Sequence, residues 1–402
     1  MAVVLASKKL IKPSSVTALT KKWHKLSLIE QGQTHTYIPF GFFYSKNQLG
    51  ALSDQPSQIS NLLENSLSRI LVSYYPYAGN MKDNATIHCN DKGVEFLNVQ
   101  IDAPMSQILN HKDCSAKDLI FPPGVAWANE SDYGLAVIQL THFNCGGIAV
   151  STCLSHKIGD GCNALQFSID WATVTRDPNV ETIPPYVKRY YFTITTNSAL
   201  KSYVASETQV KNPTRTEVVS ALIFKCIAKA VTANSRSFVP SKLIHYADLR
   251  EMISPKLPPN SLGNVLSHFS THISNVGDMN LPNIVSVMRK EKQLFRTRDN
   301  IKENAWALEI LESAKGLPPQ KKEFDEYTCS SMCKFSCYDV DFGWGKPVAV
   351  TIANGPYNKL FNLLNYRDDG IEAFVMLNEQ DMSVLECDEE FLQFVSPYEN
   401  YF

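Results

Sequence analysis

Two apolar runs, Leu135–Phe143 and Ile148–Leu154, flank the spacer Asn144-Cys145-Gly146-Gly147. Both runs are rich in β-formers, and the glycines supply the backbone freedom of a tight reversal, so the pattern predicts a buried antiparallel hairpin. The second run leads directly into Ser155-His156-Lys157-Ile158-Gly159-Asp160-Gly161. A core strand therefore ends in a sharp turn that carries His156 and, four residues later, Asp160. Histidine has an ordinary pKa of about 6.5, which allows proton removal near neutrality, and a nearby carboxylate can fix its tautomer or orientation. The same spacing also suits a hydrogen-bonded structural histidine, and at this level both readings stand.

Length and composition narrow the class. With 402 residues, 44% of them hydrophobic, the chain can bury a large core and is long enough for two domains. Its 38 basic residues nearly balance 40 acidic ones, a formal charge of −2, which argues against a nucleic-acid or anionic-membrane surface. No apolar run approaches the roughly 18–20 residues of a membrane span. Lys8, Lys9 and Lys12 interrupt the place where a signal-peptide core would lie, so a cytoplasmic protein is expected. The ten cysteines lack a disulfide-like framework and read as small buried hydrophobes. Cys329, Cys333 and Cys337 recur at every fourth position, but no close Cys-x-x-Cys pair or nearby histidine completes a metal site. Their aromatic and β-branched neighbours predict an extended segment with all three on one face.

Along the chain, Ile59, Leu62, Leu63, Leu67, Ile70 and Leu71 recur at helical spacing within 56–75, before Pro76 and Gly79 stop the helix. Strands are predicted around Ala85–Cys89 and Gly93–Val99, joined as a hairpin through Asn90-Asp91-Lys92-Gly93. After Asp160, Ala164, Leu165, Phe167, Ile169 and Trp171 predict a helix packing back on the sheet. Gly159 and Gly161 lack both P-loop and dinucleotide spacing, which sets nucleoside-triphosphate and NAD binding aside. Composition shifts at 176–186, where Pro178, Pro184 and Pro185 mark a linker between an N-terminal domain, 1–175, and a C-terminal domain, 187–402. The second half reads as a strand at Val187–Thr195, a helix opened by the capping box Thr214-Arg215-Thr216-Glu217, a strand at Leu243–Leu249 and a helix over Ile284–Glu312. Strands at Tyr338–Phe342, Pro347–Ile352 and Gly370–Leu377 follow, then a terminal helix carrying Met382, Leu385, Phe391, Leu392 and Val395. Mixed strands and helices in both halves give an α/β protein with two layered domains and a cleft between them, a preferred position for ligands.

His156-Lys157-Ile158-Gly159-Asp160-Gly161 together with Asp341-Phe342-Gly343-Trp344-Gly345 resembles the paired signature of the plant BAHD acyltransferases. The similarity extends to Tyr75-Pro76-Tyr77-Ala78-Gly79, Leu249-Arg250, Gly263-Asn264 and Gly370-Ile371-Glu372-Ala373, so it covers essentially the whole chain. Within that family it is most similar to the group holding vinorine synthase, capsaicin synthase and the acylsugar acyltransferases. The resemblance implies two chloramphenicol-acetyltransferase-like domains with a channel between them, entered by acyl-CoA from one side and a small-molecule acceptor from the other. It implies no tightly bound cofactor, no metal and a monomer.

By the same resemblance His156 is the catalytic base and Asp160 an orienting residue of its loop. Asp341 is implied to form a salt bridge with Arg250, and Gly343, Trp344 and Gly345 to act as a bulge and packing feature. Ser330 and Ser331 match the start of a Thr-Ser-Trp segment, so Ser330 either binds the acyl carbonyl or developing oxyanion or is an ordinary strand serine. Met332 stands where the tryptophan is usual, Asn80 where arginine is common, and the linker is short. These departures bear on the acceptor pocket, whose walls include Met332. Phe40 and Phe42 either line that pocket or belong to the core. The expected reaction is acyl transfer from acyl-CoA to a hydroxyl of a specialised metabolite, a sugar or acylated sugar before an alkaloid alcohol or aromatic amine. The expectation from a different class is a catalytically silent CoA-binding homologue.

Overall fold

The structure, a computed structural model, describes residues 1–26, 30–31, 33, 35–111, 114–124, 134–177, 198–250, 252, 262–297, 323–353, 358–365 and 370–394. In chain order its strands are β1 (Val3–Ile11), β2 (Trp23–Lys25), β3 (Tyr37–Tyr44), β4 (Asn80–Asp83), β5 (Thr86–His88), β6 (Val94–Ile101), β7 (Ala136–Phe143) and β8 (Ile148–Ser155). The second half adds β9 (Ser241–Asp248), β10 (Leu266–Ile273), β11 (Asp325–Ser331), β12 (Ala349–Ile352), β13 (Leu360–Asn365) and β14 (Ile371–Met376). The helices that matter here are α1 (Pro56–Ile70), α2 (Gly161–Arg176), α3 (Arg215–Ser235), α4 (Leu281–Arg296), α5 (Glu379–Leu385) and α6 (Glu389–Phe394).

The strands form two large mixed sheets and one small one, in a two-domain α/β fold. The first sheet runs β1-β6-β7-β8-β3-β12, the second β10-β9-β11-β13-β14, and the small sheet β2-β5-β4. The predicted hairpin is β7–β8, antiparallel from Ala136 opposite Leu154 to His142 opposite Ile148. β8 is buried along its whole length between β7 and β3, as expected of a largely apolar strand inside a sheet. α1 and α2 pack on this sheet, where Trp171 Nε1 donates to Ser66 Oγ at 3.0 Å, satisfying the one polar atom of a fully buried indole.

Sheet membership does not follow the order of the chain. β12 comes late in sequence yet pairs with β3 in the first sheet, Ile352 opposite Phe40 and Ala349 opposite Phe43. The first core accordingly contains Val340, Phe342, Trp344, Val350, Ile352 and Leu364 from the second half. The second core lies between its sheet and helices α3, α4 and α5. α3 opens with the predicted capping box, Thr214 and Glu217 satisfying each other's backbone N–H groups.

Several expectations are corrected. The residues flanking Asn90–Gly93 do not pair with each other: β5 joins the small sheet and β6 the first sheet. Asp91 and Gly93 adopt left-handed φ values of 55° and 106°, and Gly93 N donates to Ala78 O, so the turn passes the chain between sheets. Cys329, Cys333 and Cys337 do not share a strand, because β11 ends at Ser331 and the chain turns through Phe335 N to Met332 O. Tyr338–Phe342 is likewise not a strand: Cys337–Asp339 is a short 3-10 turn followed by a loop. The terminal helix is two helices, separated at 386–388, with Asp388 capping the second through Phe391 N. Val187–Thr195, 178–186, 298–312 and Val395 lie outside the described residues.

Candidate active site

His156 immediately follows β8, and its backbone N–H donates to Thr36 O at 2.8 Å, which ties the turn to the chain entering β3. The residue is partly exposed, but Nδ1 is buried without a hydrogen-bond partner, so its accessible part lies away from Nδ1. Burial pushes the imidazole pKa below its ordinary value, while a contact with its own backbone, the Asp160 charge and the Asn264 side chain push it back up. The ring is therefore neutral at physiological pH, the state a base requires.

Asp160 does not touch the His156 ring. It is the N-cap of α2, accepting from Asn163 N, with Asn163 Oδ1 returning the contact to Asp160 N. Its other oxygen accepts from Arg250 Nη1 at 2.8 Å and from Val265 N at 3.3 Å. Arg250 also reaches Asp248 Oδ1, Asn163 Oδ1 and Gly263 O. Asp160 is 1% and Arg250 5% exposed, so this is a desolvated ion pair whose remaining donors and acceptors are satisfied by backbone and amide groups.

The implied pairing of Asp341 with Arg250 is corrected accordingly. Asp341 lies at the other end of α2, where Arg176 Nη1 donates to Asp341 O at 2.7 Å and stands 3.7 Å from its carboxylate. Asp341 Oδ1 accepts from Gly343 N and Gly345 N, at 2.8 and 2.9 Å. Both glycines have left-handed φ values, 112° and 100°, so the loop curls around the carboxylate in a way that side chains with a Cβ rarely adopt. Trp344 and Phe342 stack on each other and meet the Tyr44 ring edge-on, and Tyr44 Oη donates to Val340 O at 2.6 Å. The motif is a packed latch between β3 and α2, with its charged head at the end of α2 remote from His156.

Of the remaining candidates, Phe40 and Phe42 are fully buried in β3 and belong to the first core, so the core reading is the one the structure carries. Ser330 lies opposite Asn362 and Ser331 opposite Leu363 in the parallel pairing of β11 with β13. Tyr327 and Cys329 face α3, where Cys329 Sγ is 3.7 Å from Ser220 Oγ, so strand alternation turns Ser330 to the opposite face. Ser331 shares the α3 side with Cys333 and interacts with its thiol. Met332 is nearly buried in the first core; its Sδ would lie 3.8 Å from a Cβ on Gly161, and the Phe335 ring 3.7 Å. Met332 and Phe335 thus cover the start of α2 beside Asp160. Phe335 and Asn163 escaped the sequence reading, and Lys157 and Asn264 were noticed there only as parts of motifs, with no role. Lys157 is buried next to His156 and donates to Gln31 O and Asn84 Oδ1, fastening the turn to two further segments. Asn264 Nδ2 donates to His156 O at 2.7 Å.

Burial raises the pKa of the Cys329 thiol to about 12 and pushes those of Cys333 and Cys337 up as well, which leaves them poor ligands and poor nucleophiles. Among the described residues, Cys226, Asp388 and Glu390 converge closely enough for a metal, but both carboxylates are ion-paired, to Lys229 and Lys225.

Comparison with known proteins agrees with this arrangement. The profile of the Transferase family matches residues 1–210 and 198–392. The chain is 44% identical to "Acyltransferase Pun1" of Capsicum frutescens, over 98% of both chains. It is 36% identical to "Acylsugar acyltransferase 3" of Solanum lycopersicum, over 98% of this chain and 97% of the relative. The crystal structure of vinorine synthase superposes with a TM-score of 0.84 at 26% identity, covering 100% of each chain. A histidine at the end of a core strand, the second motif packed against β3 and full-length matches lead to one conclusion: the chain belongs to the Transferase family, the BAHD acyltransferases.

Proposed function

We propose that the protein transfers an acyl group from acyl-CoA to a hydroxyl of a plant specialised metabolite, a sugar or partly acylated sugar, with His156 as the base. The observation that carries this reading is an imidazole kept neutral by burial, on a turn fastened by Thr36, Lys157 and the Asp160–Arg250 pair. A thioester is activated, but an alcohol near its free pKa is a poor nucleophile unless a base removes its proton during attack. His156 takes that proton as the hydroxyl oxygen bonds to the thioester carbonyl carbon. The carbon–sulfur bond then breaks, and the imidazolium returns the proton to the departing CoA thiolate. No acyl-enzyme forms, consistent with buried thiols of raised pKa around Ser330 and Met332. Ser330, on the face of β11 away from α3, is the donor assigned to the carbonyl oxygen, where such a contact contributes a few kcal/mol.

The sugar acceptor rests on the full-length relationship to an acylsugar acyltransferase and on Met332 in place of a rigid ring at the pocket wall. The full-length likeness to vinorine synthase favours the second reading, an alkaloid alcohol or aromatic amine; with an amine the same proton transfers would produce an amide. The enzyme is assigned as a cytoplasmic monomer with a channel between its domains. Release of free CoA thiol tests the function, with short, branched and aromatic acyl-CoAs crossed against sucrose, acylsucroses, alkaloid alcohols and aromatic amines. Release that depends on a sugar acceptor and on His156 supports the proposal. Release with an alkaloid or amine alone replaces the acceptor, and CoA binding without release across the panel shifts weight to an acceptor outside the panel or to a silent homologue.

A further inference from the structure

The second sheet has two unlike faces. Tyr327 and Cys329 of β11 and Phe361 and Leu363 of β13 belong to the second core, under α3. Strand alternation turns Ser330, Asn362 and Leu364 the other way, where Leu364 joins the first core and Phe374 of β14 packs against it. On this face Asn362 lies opposite Ser330 of β11 on one side and opposite Phe374 on the other.

Asn362 is 3% exposed, and its Nδ2 is buried without a hydrogen-bond partner. A buried donor left unmade forfeits its hydration with nothing in return, and most such groups in native proteins are paired. A leucine would fill nearly the same volume without that loss. The unpaired amide therefore points to an acceptor that arrives with the substrate. Its position agrees. Two residues beyond Ser330, Met332 N donates to Leu363 O, and Met332 Sδ would lie 3.8 Å from a Cβ on Gly161. The β11–β13 pair thus ends at the start of α2, next to the turn that carries His156. Ser330 is partly exposed there, and neighbouring strands lie about 4.8 Å apart, so one oxygen atom can meet both side chains.

We propose that Asn362 is a second donor at the acyl subsite: its Nδ2–H and the Ser330 Oγ–H together hold the thioester carbonyl oxygen and the oxyanion that forms on it. A carbonyl oxygen has two lone pairs and accepts both bonds. As the acceptor's oxygen bonds to the carbonyl carbon, the C=O π pair moves onto the carbonyl oxygen, and the two donors meet the charge as it develops. When the π bond re-forms, the carbon–sulfur pair leaves with the CoA sulfur, which takes the proton from His156. Nothing holds Nδ2 in its resting place, so rotation about Cβ–Cγ brings it to the substrate side. The opposite orientation would set Oδ1 against the carbonyl oxygen, two acceptors with no proton between them.

This inference rests on acyl-CoA being the substrate, and its first test needs no turnover. Difference infrared spectroscopy of isobutyryl-CoA, labelled with ¹³C at the thioester carbonyl and bound without an acceptor, reads the hydrogen bonds to that oxygen. The stretch should move to lower frequency on binding to the wild type. Asn362→Leu and Ser330→Ala should each reverse part of that shift, and the double variant nearly all of it. Asn362→Leu should also lower kcat roughly 10²-fold, the lower end of the loss on removing one oxyanion donor, because the amide is not fixed in advance. KM for acyl-CoA should stay within about threefold, as for an interaction made mainly in the transition state. Combined with Ser330→Ala, the loss in kcat should be smaller than the product of the two single losses, since both donors act on one oxygen. The unfolding midpoint of Asn362→Leu should hold or rise, since no unpaired donor remains. Should the leucine variant fail to fold, Asn362→Ala removes the same donor without its bulk, and the same readings decide. A variant that keeps the wild-type stretch and kcat overturns the proposal. So does one that alters only the preference among acyl chains, which would make Asn362 a wall of the chain pocket. A bound thioester with an unshifted carbonyl in the wild type overturns this inference alone, whereas a protein that binds no acyl-CoA overturns the proposed function with it.

Discussion

His156, just past the end of β8 in the first sheet, and His245, within β9 of the second, share one physical influence. His245 lies within β9, opposite Phe269 of β10 and Cys329 of β11, and its ring stacks on Phe269 with centroids 5.0 Å apart and planes 8° from parallel. Burial, helped by the Lys292 charge, takes its pKa down to about 3, with Glu217 opposing. Burial also lowers the pKa of His156. The difference lies in what surrounds each ring. His156 stands past the end of its strand, partly exposed, with Asp160 and Asn264 acting against the desolvation. His245 is enclosed between strands, with Nε2 buried and unpartnered. A lowered histidine pKa thus marks burial alone; a base also needs an open edge and groups that favour its charged form as the proton arrives.

The comparison is most exposed to failure at His156. His156→Ala should lower turnover by roughly 10²–10⁴-fold with the fold intact, the usual loss of a general base. Near-normal turnover in a coupled CoA-release assay would place the two histidines in one class. Arg250→Ala comes next, since it leaves the Asp160 carboxylate buried without its cation. A stability loss of about 3–5 kcal/mol is expected in denaturant titration, together with loss of activity from the loosened turn. An unchanged unfolding midpoint would show that the network does not hold the site.

Asp341→Ala should cost less, about 1–3 kcal/mol, because its carboxylate caps two backbone N–H groups but is 28% exposed and only loosely paired with Arg176. A variant that unfolds like the wild type but has lost turnover would give the second motif a catalytic role. The smallest effect belongs to His245→Gln, which should leave turnover within about twofold. The folded His245 stays neutral down to about pH 3, whereas the unfolded chain takes up a proton below about 6.5. The unfolded state therefore binds more protons across that window, and stability falls as pH falls. Removing the imidazole should make that acid loss shallower by up to about 1.4 kcal/mol per pH unit. An unchanged slope would mean that His245 is solvated in the native state.

Local elements were legible where one strong pattern decided them. The β7–β8 hairpin, α1, the helix after Asp160, the capped start of α3, and β9 all follow from apolar spacing and, for α3, its capping residues within a few positions. The misreadings share one cause. A turn such as Asn90–Gly93 reads the same whether its flanks pair with each other or leave for different sheets, because partner choice is made by distant strands. The Cys329–Cys337 segment has β-rich composition, yet its path is set by the Met332–Leu363 contact and by the first core, which takes in Met332 and Cys337.

The same division runs through the site. By itself the sequence determined that a core strand delivers a histidine into a glycine-bearing turn, that a carboxylate follows four residues on, and that a second glycine-rich motif accompanies it. These are properties of neighbouring residues, fixed by local backbone sterics and hydrogen bonding. Only the tertiary structure decided that Arg250 pairs with Asp160 while Asp341 turns to Arg176, that β12 crosses into the first sheet and that Asn264 meets His156. Opposite charges attract any partner of the right sign, and a buried amide bonds to any suitable group. Which one it meets is settled by packing between segments 90 to 165 residues apart in the chain.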